Sequence, residues 1–257
     1  MSVLAAWLVG IAVADLVRGG DRFTTRGMRT ASALVAAGVT ALVGLLAGPA
    51  GAGGLVLLLV EAALAVAWVL LSHRALGSGA GSGLAITALA VGAAVPLVLS
   101  GLTGPADGPL ASWLGWVTVP QLRDLSADRF LLLCGLFLAQ LSTGNALVRL
   151  VLASIGAIRP QGLPQPSDRL RGGRLLGPLE RVFILGLGLA GQVTAAGIVI
   201  AAKGLIRWPE LRMTPRELAA DDRDDHVSID AVTEYFLVGS FVSWLLALAA
   251  LWLAQAS

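Results

Sequence analysis

Of 257 residues, 56% are hydrophobic and only 13% charged, with a net charge of +2 and a mean hydropathy of +0.83. Water-soluble domains usually carry about a quarter charged residues, so this composition excludes water as the chain's main solvent and points to a polytopic membrane protein. The pI of 9.3 arises from arginines spread over several connectors, without the concentrated basic face that nucleic acid requires, and no nucleic-acid partner is expected.

Seven apolar segments stand out in chain order: residues 3–17, 31–46, 55–71, 83–102, 130–152, 179–202 and 232–254. A hydrocarbon layer about 30 Å thick takes ~20 helical residues to cross. The expected fold is therefore all-α: one integral-membrane domain over residues 1–257, a bundle of about seven spanning helices. The first segment lacks a basic leader before it and has its arginines after it, so it reads as a helix and not as a signal peptide. In the fourth, Pro96 removes a backbone donor and predicts a kink. The sixth, Leu179 to Ala202, is bracketed by Glu180 and Lys203, which the spanning length assigns to opposite membrane faces. Its Gly186, Gly188 and Gly191 spell a dinucleotide fingerprint, but no strand precedes them, and a close helix-helix contact surface is the expected use.

The connectors carry the orientation. Arg18, Arg22, Arg26 and Arg29, then Arg74, then Arg159, Arg169, Arg171 and Arg174 fall on one side if seven segments cross. The positive-inside rule makes that side cytoplasmic, with the N-terminus outside and the C-terminus inside. Abundant Ala, Gly, Leu, Val and Arg beside a single lysine match a GC-rich bacterial genome, so the expected location is a bacterial inner membrane, with anionic phospholipid against the basic connectors. Residues 104–128 carry Trp113, Trp116 and Pro120, and the run from Leu110 to Val119 is too short to span; an interfacial or re-entrant piece is expected. Residues 159–173, rich in proline, glycine and arginine, read as an extended loop. The acidic run from Asp221 to His226 lacks the glycine and terminal glutamate of an EF-hand, so it reads as a solvated loop, and neither a metal nor a cofactor is expected. His73 marks a helix interface, and Cys134, the only cysteine, has no disulfide partner in the chain.

Ionisable residues inside apolar segments are the best functional evidence, because a charge at a helix centre costs ~2.5–3.5 kcal/mol on insertion scales. Glu61 has Leu55 to Val60 before it and Ala62 to Leu71 after it with no other charge, so its carboxyl is either protonated or paired. It is an ion- or proton-binding candidate, or the donor in a helix-helix hydrogen bond. Asp15, Arg149, Glu180 and Arg181 share one depth in the expected topology. They form either an ion-pair network or a site for a phosphate or lipid head group, to which arginine's planar fork is suited. At the opposite face, Lys203 and Arg207 stand one turn apart with Glu234 at their level, either as a Lys203–Glu234 pair or as a basic pocket for an anion. Gln140, Asn145 and Gln192 add uncharged polar groups to the same helices.

The runs GRLLGPLER, AAKGLIR and EYFLVGSFVS resemble the C-terminal signature of an uncharacterised bacterial membrane group, the domain-of-unknown-function 3307 family. The resemblance covers about residues 173–252 and falls on Gly173, Gly177, Glu180, Arg181, Ala201, Ala202, Lys203, Arg207, Glu234, Tyr235, Gly239 and Ser243, with Ser240 where that family has threonine. Asp15 takes an acidic position near the start of that pattern, but the family's N-terminal histidines are absent: no histidine precedes His73. The resemblance implies a membrane fold and no activity. No catalytic constellation accompanies the charges. The leading expectation is a channel- or transporter-like unit or a subunit of a membrane complex, with a membrane-protein partner or a second copy of the chain beside it. The alternatives are a membrane enzyme acting on a lipid or polyprenyl phosphate, and an assembly scaffold docking a partner through residues 159–173.

Overall fold

The computed structural model describes residues 1–18, 26–49, 51–158, 173–211 and 229–256, and among them all regular structure is helical. α1 (Ser2–Arg18) is apolar around most of its circumference, and a helix of that kind belongs inside a bundle. It is packed by α2 (Arg26–Ala47), α3 (Gly51–Ser78), α4 (Ser82–Val98), α7 (Ala127–Leu141) and α8 (Thr143–Ser154), and α8 also packs against α3 and α4. Between α4 and α7 in the chain lie a single 3₁₀ turn at Ser100–Leu102 and two short helices, α5 (Pro109–Trp116) and α6 (Pro120–Arg123), each opened by a proline at its first position, where no donor is lost. The chain then forms α9 (Gly173–Leu189), α10 (Val193–Leu211) and α11 (Ile229–Gln255), which pack on one another, with α9 and α11 also reaching α7 and α8.

Small residues let α1 sit this deep. A β-carbon at Gly135 of α7 would stand 3.0 Å from Leu8 Cβ and 3.1 Å from the Ala5 carbonyl oxygen, and one at Gly10 would collide with Thr40 and lie 2.9 Å from the Ala36 carbonyl oxygen of α2. The replacement Gly10→Val is therefore expected to lower stability by about 1–3 kcal/mol through overpacking. Thermal unfolding in detergent micelles checks this; an unchanged transition would contradict the close packing of α1 on α2.

Length and hydropathy leave fewer crossings than the seven expected. Among the described residues, three stretches are long and apolar enough to cross a membrane: Gly27–Ala47, Gly51–Ser78 and Tyr235–Gln255. A fourth is reached if α7 and α8, bent by 46° at Ser142, count as one span. α1 and α4 stop at 17 residues each, and α4 ends two residues past Pro96, so that proline sits in a last turn and does not kink a longer helix. The sixth segment is not one helix. Gly191 adopts a left-handed φ of 74°, the Gln192 amide donates to the Leu187 carbonyl at 2.8 Å and the Gly191 amide to Gly188 at 3.1 Å. That is a Schellman stop. α10 begins at once, with the Ala196 amide donating to the Gln192 carbonyl at 3.1 Å. Glu180 and Lys203 therefore belong to two helices, and only Gly188 of the three glycines makes a close contact, against Leu251 of α11.

Apolar side chains face outward along the long helices. Leu34 and Leu42 of α2, Leu59 of α3, Leu84 of α4, and Phe241 and Trp252 of α11 are all exposed, while Asp15, Glu61, Glu180 and Arg181 are buried. This inverted polarity is what a lipid solvent selects. Where an interfacial or re-entrant piece is expected, the chain forms the short helix α5, with Trp116 exposed and Trp113 half exposed, its ring 6.0 Å from that of Phe130.

Candidate functional site

The bend between α7 and α8 leaves backbone groups that helical geometry does not satisfy, and it gathers the polar residues of the bundle around itself. Ser142, at the break, donates its hydroxyl to the Ala12 carbonyl of α1 at 2.8 Å and to Leu138 at 3.0 Å. The neighbouring Gln140 carbonyl, in the last turn of α7, is taken by Arg181 of α9, whose Nε and Nη2 donate to it at 3.0 and 2.8 Å. The same guanidinium donates from Nη2 to Asn145 Oδ1 of α8 at 2.7 Å and from Nη1 to Ser243 Oγ of α11 at 3.0 Å. Gly144 leaves the room: a β-carbon there would stand 2.8 Å from Arg181 Nε. One buried side chain thus ties four helices together. Beside it, Glu180 Oε1 accepts from Trp244 Nε1 of α11 at 2.6 Å.

On the other side of the bend lies a second cluster of similar make-up. Asp15 of α1 pairs with Arg18 at 2.9 Å, one turn along its own helix, and accepts from Trp68 Nε1 of α3 at 3.1 Å. Arg18 in turn donates to Ser72 Oγ at 2.9 Å, and the Thr143 hydroxyl, at the start of α8, stands beside the Asp15 carboxyl. Each cluster is built from an acid, an arginine, a tryptophan and a serine.

Glu61 is different. It lies on the buried face of α3 with Leu57, Leu58, Ala65 and Trp68 and is fully buried, and neither carboxyl oxygen has a hydrogen-bond partner among the described residues. Trp7 Nε1 of α1, Thr40 Oγ1 of α2 and, three turns farther along α3, His73 Nε2 share that condition among the described residues of α1–α4, as does Asp15 Oδ1 apart from its ion pair with Arg18. Trp7 reaches across to α4, where Gly92 accommodates its indole, and Thr40 faces Gly10 of α1.

The residues expected at one depth are thus distributed over more than one site. Asp15 belongs with Arg18 on one side of the bend, Glu180 and Arg181 lie on the other, and Arg149 is exposed on α8. Lys203, Arg207 and Glu234 lie on α10 and α11, but their side chains are outside the described residues, as is the whole of Asp221–His226 and of residues 159–172. Among the described residues no cluster of His, Cys, Asp and Glu could hold a metal ion. His73 is buried in α3 near its end, and Cys134 is a free thiol. Sequence reasoning missed Arg18 as a partner for Asp15, although their i, i+3 spacing was visible, and missed Trp7, Thr40, Trp68, Ser243 and Trp244, which resemble ordinary helix residues until their neighbours are known. Comparison with known proteins finds no match to any family model, curated protein or solved structure.

Proposed function

We propose that the chain is a multi-pass membrane protein of channel- or transporter-like type whose α1–α4 group binds a cation or a proton at Glu61. The observation that carries this reading is the Glu61 carboxyl itself, fully buried on α3 with both oxygens unpartnered among the described residues, in a helix with no other charge for two turns either way. A structural acid in this chain looks different: Asp15 and Glu180 are both tied to an indole N–H. An acid without such ties is free to exchange a positively charged ligand.

The compartment proposed is a bacterial inner membrane, with the arginines between α1 and α2 on the cytoplasmic side. Kinship of residues 173–252 with the uncharacterised membrane family is part of the same proposal, and it is supported by the way Gly177 and Ser243, two of its residues, lie against the guanidinium of Arg181, a third. The lipid-phosphate enzyme has less support, because the arginine fork that would grip a phosphate is turned onto Gln140, Asn145 and Ser243.

Purified protein in liposomes tests the reading. An imposed pH or cation gradient is expected to dissipate through the wild type, and Glu61→Gln is expected to slow this at least about tenfold, as befits loss of an obligatory binding group. Equal flux in both proteins would remove Glu61 from any transport role.

A further inference from the structure

Resting on the reading of Glu61 as an exchangeable acid, we propose that its ligand is a proton and that Trp7 and Thr40 are the two donors that receive the carboxylate when the proton leaves. The argument begins with register. Asp15 meets Trp68 and Arg18 meets Ser72, so α1 and α3 run parallel; two turns back along each from the first pair lie Leu8 and Glu61, with Trp7 adjoining. α2 runs the other way, and Gly44 packs on Leu58 of α3; one turn along each from that contact lie Thr40 and Ala62, next to Glu61. Thr40 also faces Gly10 of α1. Three helices therefore bring three side chains to one level of the bundle. All three are fully buried, and all three hold polar atoms without a partner among the described residues.

Their chemistries fit one another. An ionised carboxyl only accepts hydrogen bonds, an indole N–H only donates, and a hydroxyl can donate. This chain already holds two buried acids by an indole N–H, Asp15 with Trp68 and Glu180 with Trp244, so Trp7 is the third instance of a device used twice. A metal ion fits poorly: hard cations take six or more oxygen ligands, and an indole N–H supplies none. The step is the transfer of one proton from the Glu61 carboxyl to a water molecule, leaving a carboxylate whose side chain rotates toward the two donors.

No other titratable group stands at this level on the elements packed against α3. On α1, Asp15 and Arg18 are two turns away and paired with each other; on α2, Arg26 and Arg29 lie in the first turn; α4 has none; α8 carries Arg149. On α3 itself, His73 and Arg74 come three turns later.

Infrared difference spectra of the whole protein in lipid nanodiscs, recorded between acid and alkaline pH, test this directly. A protonated-carboxyl stretch that vanishes on raising the pH is expected in the wild type and absent in Glu61→Gln. In Thr40→Val, a near-isosteric change, and in Trp7→Phe, the carboxylate loses a donor, and the proton is expected to bind about tenfold more tightly in each, the size of one charge-assisted hydrogen bond. Absence of any Glu61-dependent band would overturn the proposal, and a band that titrates identically in Thr40→Val and Trp7→Phe would overturn the role of those donors. A band that responds to both variants in a protein that moves no protons in liposomes would uphold the site while removing transport as its use.

Discussion

Replacing Arg181 by methionine is expected to destabilise the bundle by on the order of 3 kcal/mol, because unsatisfied buried acceptors each cost about 1–3 kcal/mol. Methionine fills a similar volume but donates nothing, so it strands the Gln140 carbonyl, Asn145 Oδ1 and Ser243 Oγ together. Relief from burying a guanidinium offsets part of the loss. The Gln140 carbonyl dominates the balance, since it sits where α7 ends at a bend and no helical amide is placed to take it. Arg181→Lys keeps the charge yet cannot span three acceptors on three helices, and should recover less than half of the loss. Equilibrium unfolding in mixed micelles reads both; a deficit below about 1 kcal/mol for methionine, the worth of one ordinary hydrogen bond, would mean that the bend holds itself.

The change Asp15→Ala follows the same logic on the other side of the bend. It leaves Arg18 largely buried with only Ser72 as a partner and the Trp68 N–H without an acceptor, and removal of one member of a buried pair costs about 3–5 kcal/mol. Arg18 lies at the end of α1 and can turn toward water, which places the expected loss at the low end, about 3 kcal/mol. Asp15→Asn keeps an acceptor for the indole and should cost about 1 kcal/mol, close to an ordinary hydrogen bond. Additive losses in the pair Asp15→Ala and Arg18→Ala would contradict the ion pair, for which a coupling above about 1 kcal/mol is expected.

Those two clusters show where sequence reasoning reached and where it stopped. The helices α2, α3 and α11 were legible because nothing interrupts their apolar runs. Glu61 was legible as an anomaly, one acid in an otherwise uncharged span. The breaks at Ser142 and Gly191 were not read, since both lie inside apolar stretches of spanning length. Yet each carries a local sign: Ser-Thr-Gly-Asn at the first, and a glycine followed by glutamine at the second. Polar side chains and glycine ease a helix break when neighbouring helices take up the freed backbone groups. Arg181 shows the deeper limit. Its partners include a backbone carbonyl, which has no sequence signature, and side chains more than thirty residues away on either side. Shared depth along separate helices brought Asp15 and Glu180 together in the expectation, but the side chains project from different helices to opposite sides of the bend.

The claim beneath all of this is that α3 lies in lipid and carries Glu61 into it. Leu59, two residues earlier and 71% exposed on the outer face of that helix, reports on it directly. With Cys134 replaced by serine, Leu59→Cys supplies a single thiol. In intact membranes a water-soluble maleimide should leave it unmodified, and a spin label attached there should collide with oxygen far more often than with an aqueous nickel chelate. Rapid labelling by the maleimide, or collisions dominated by the chelate, would place α3 in water and contradict the account.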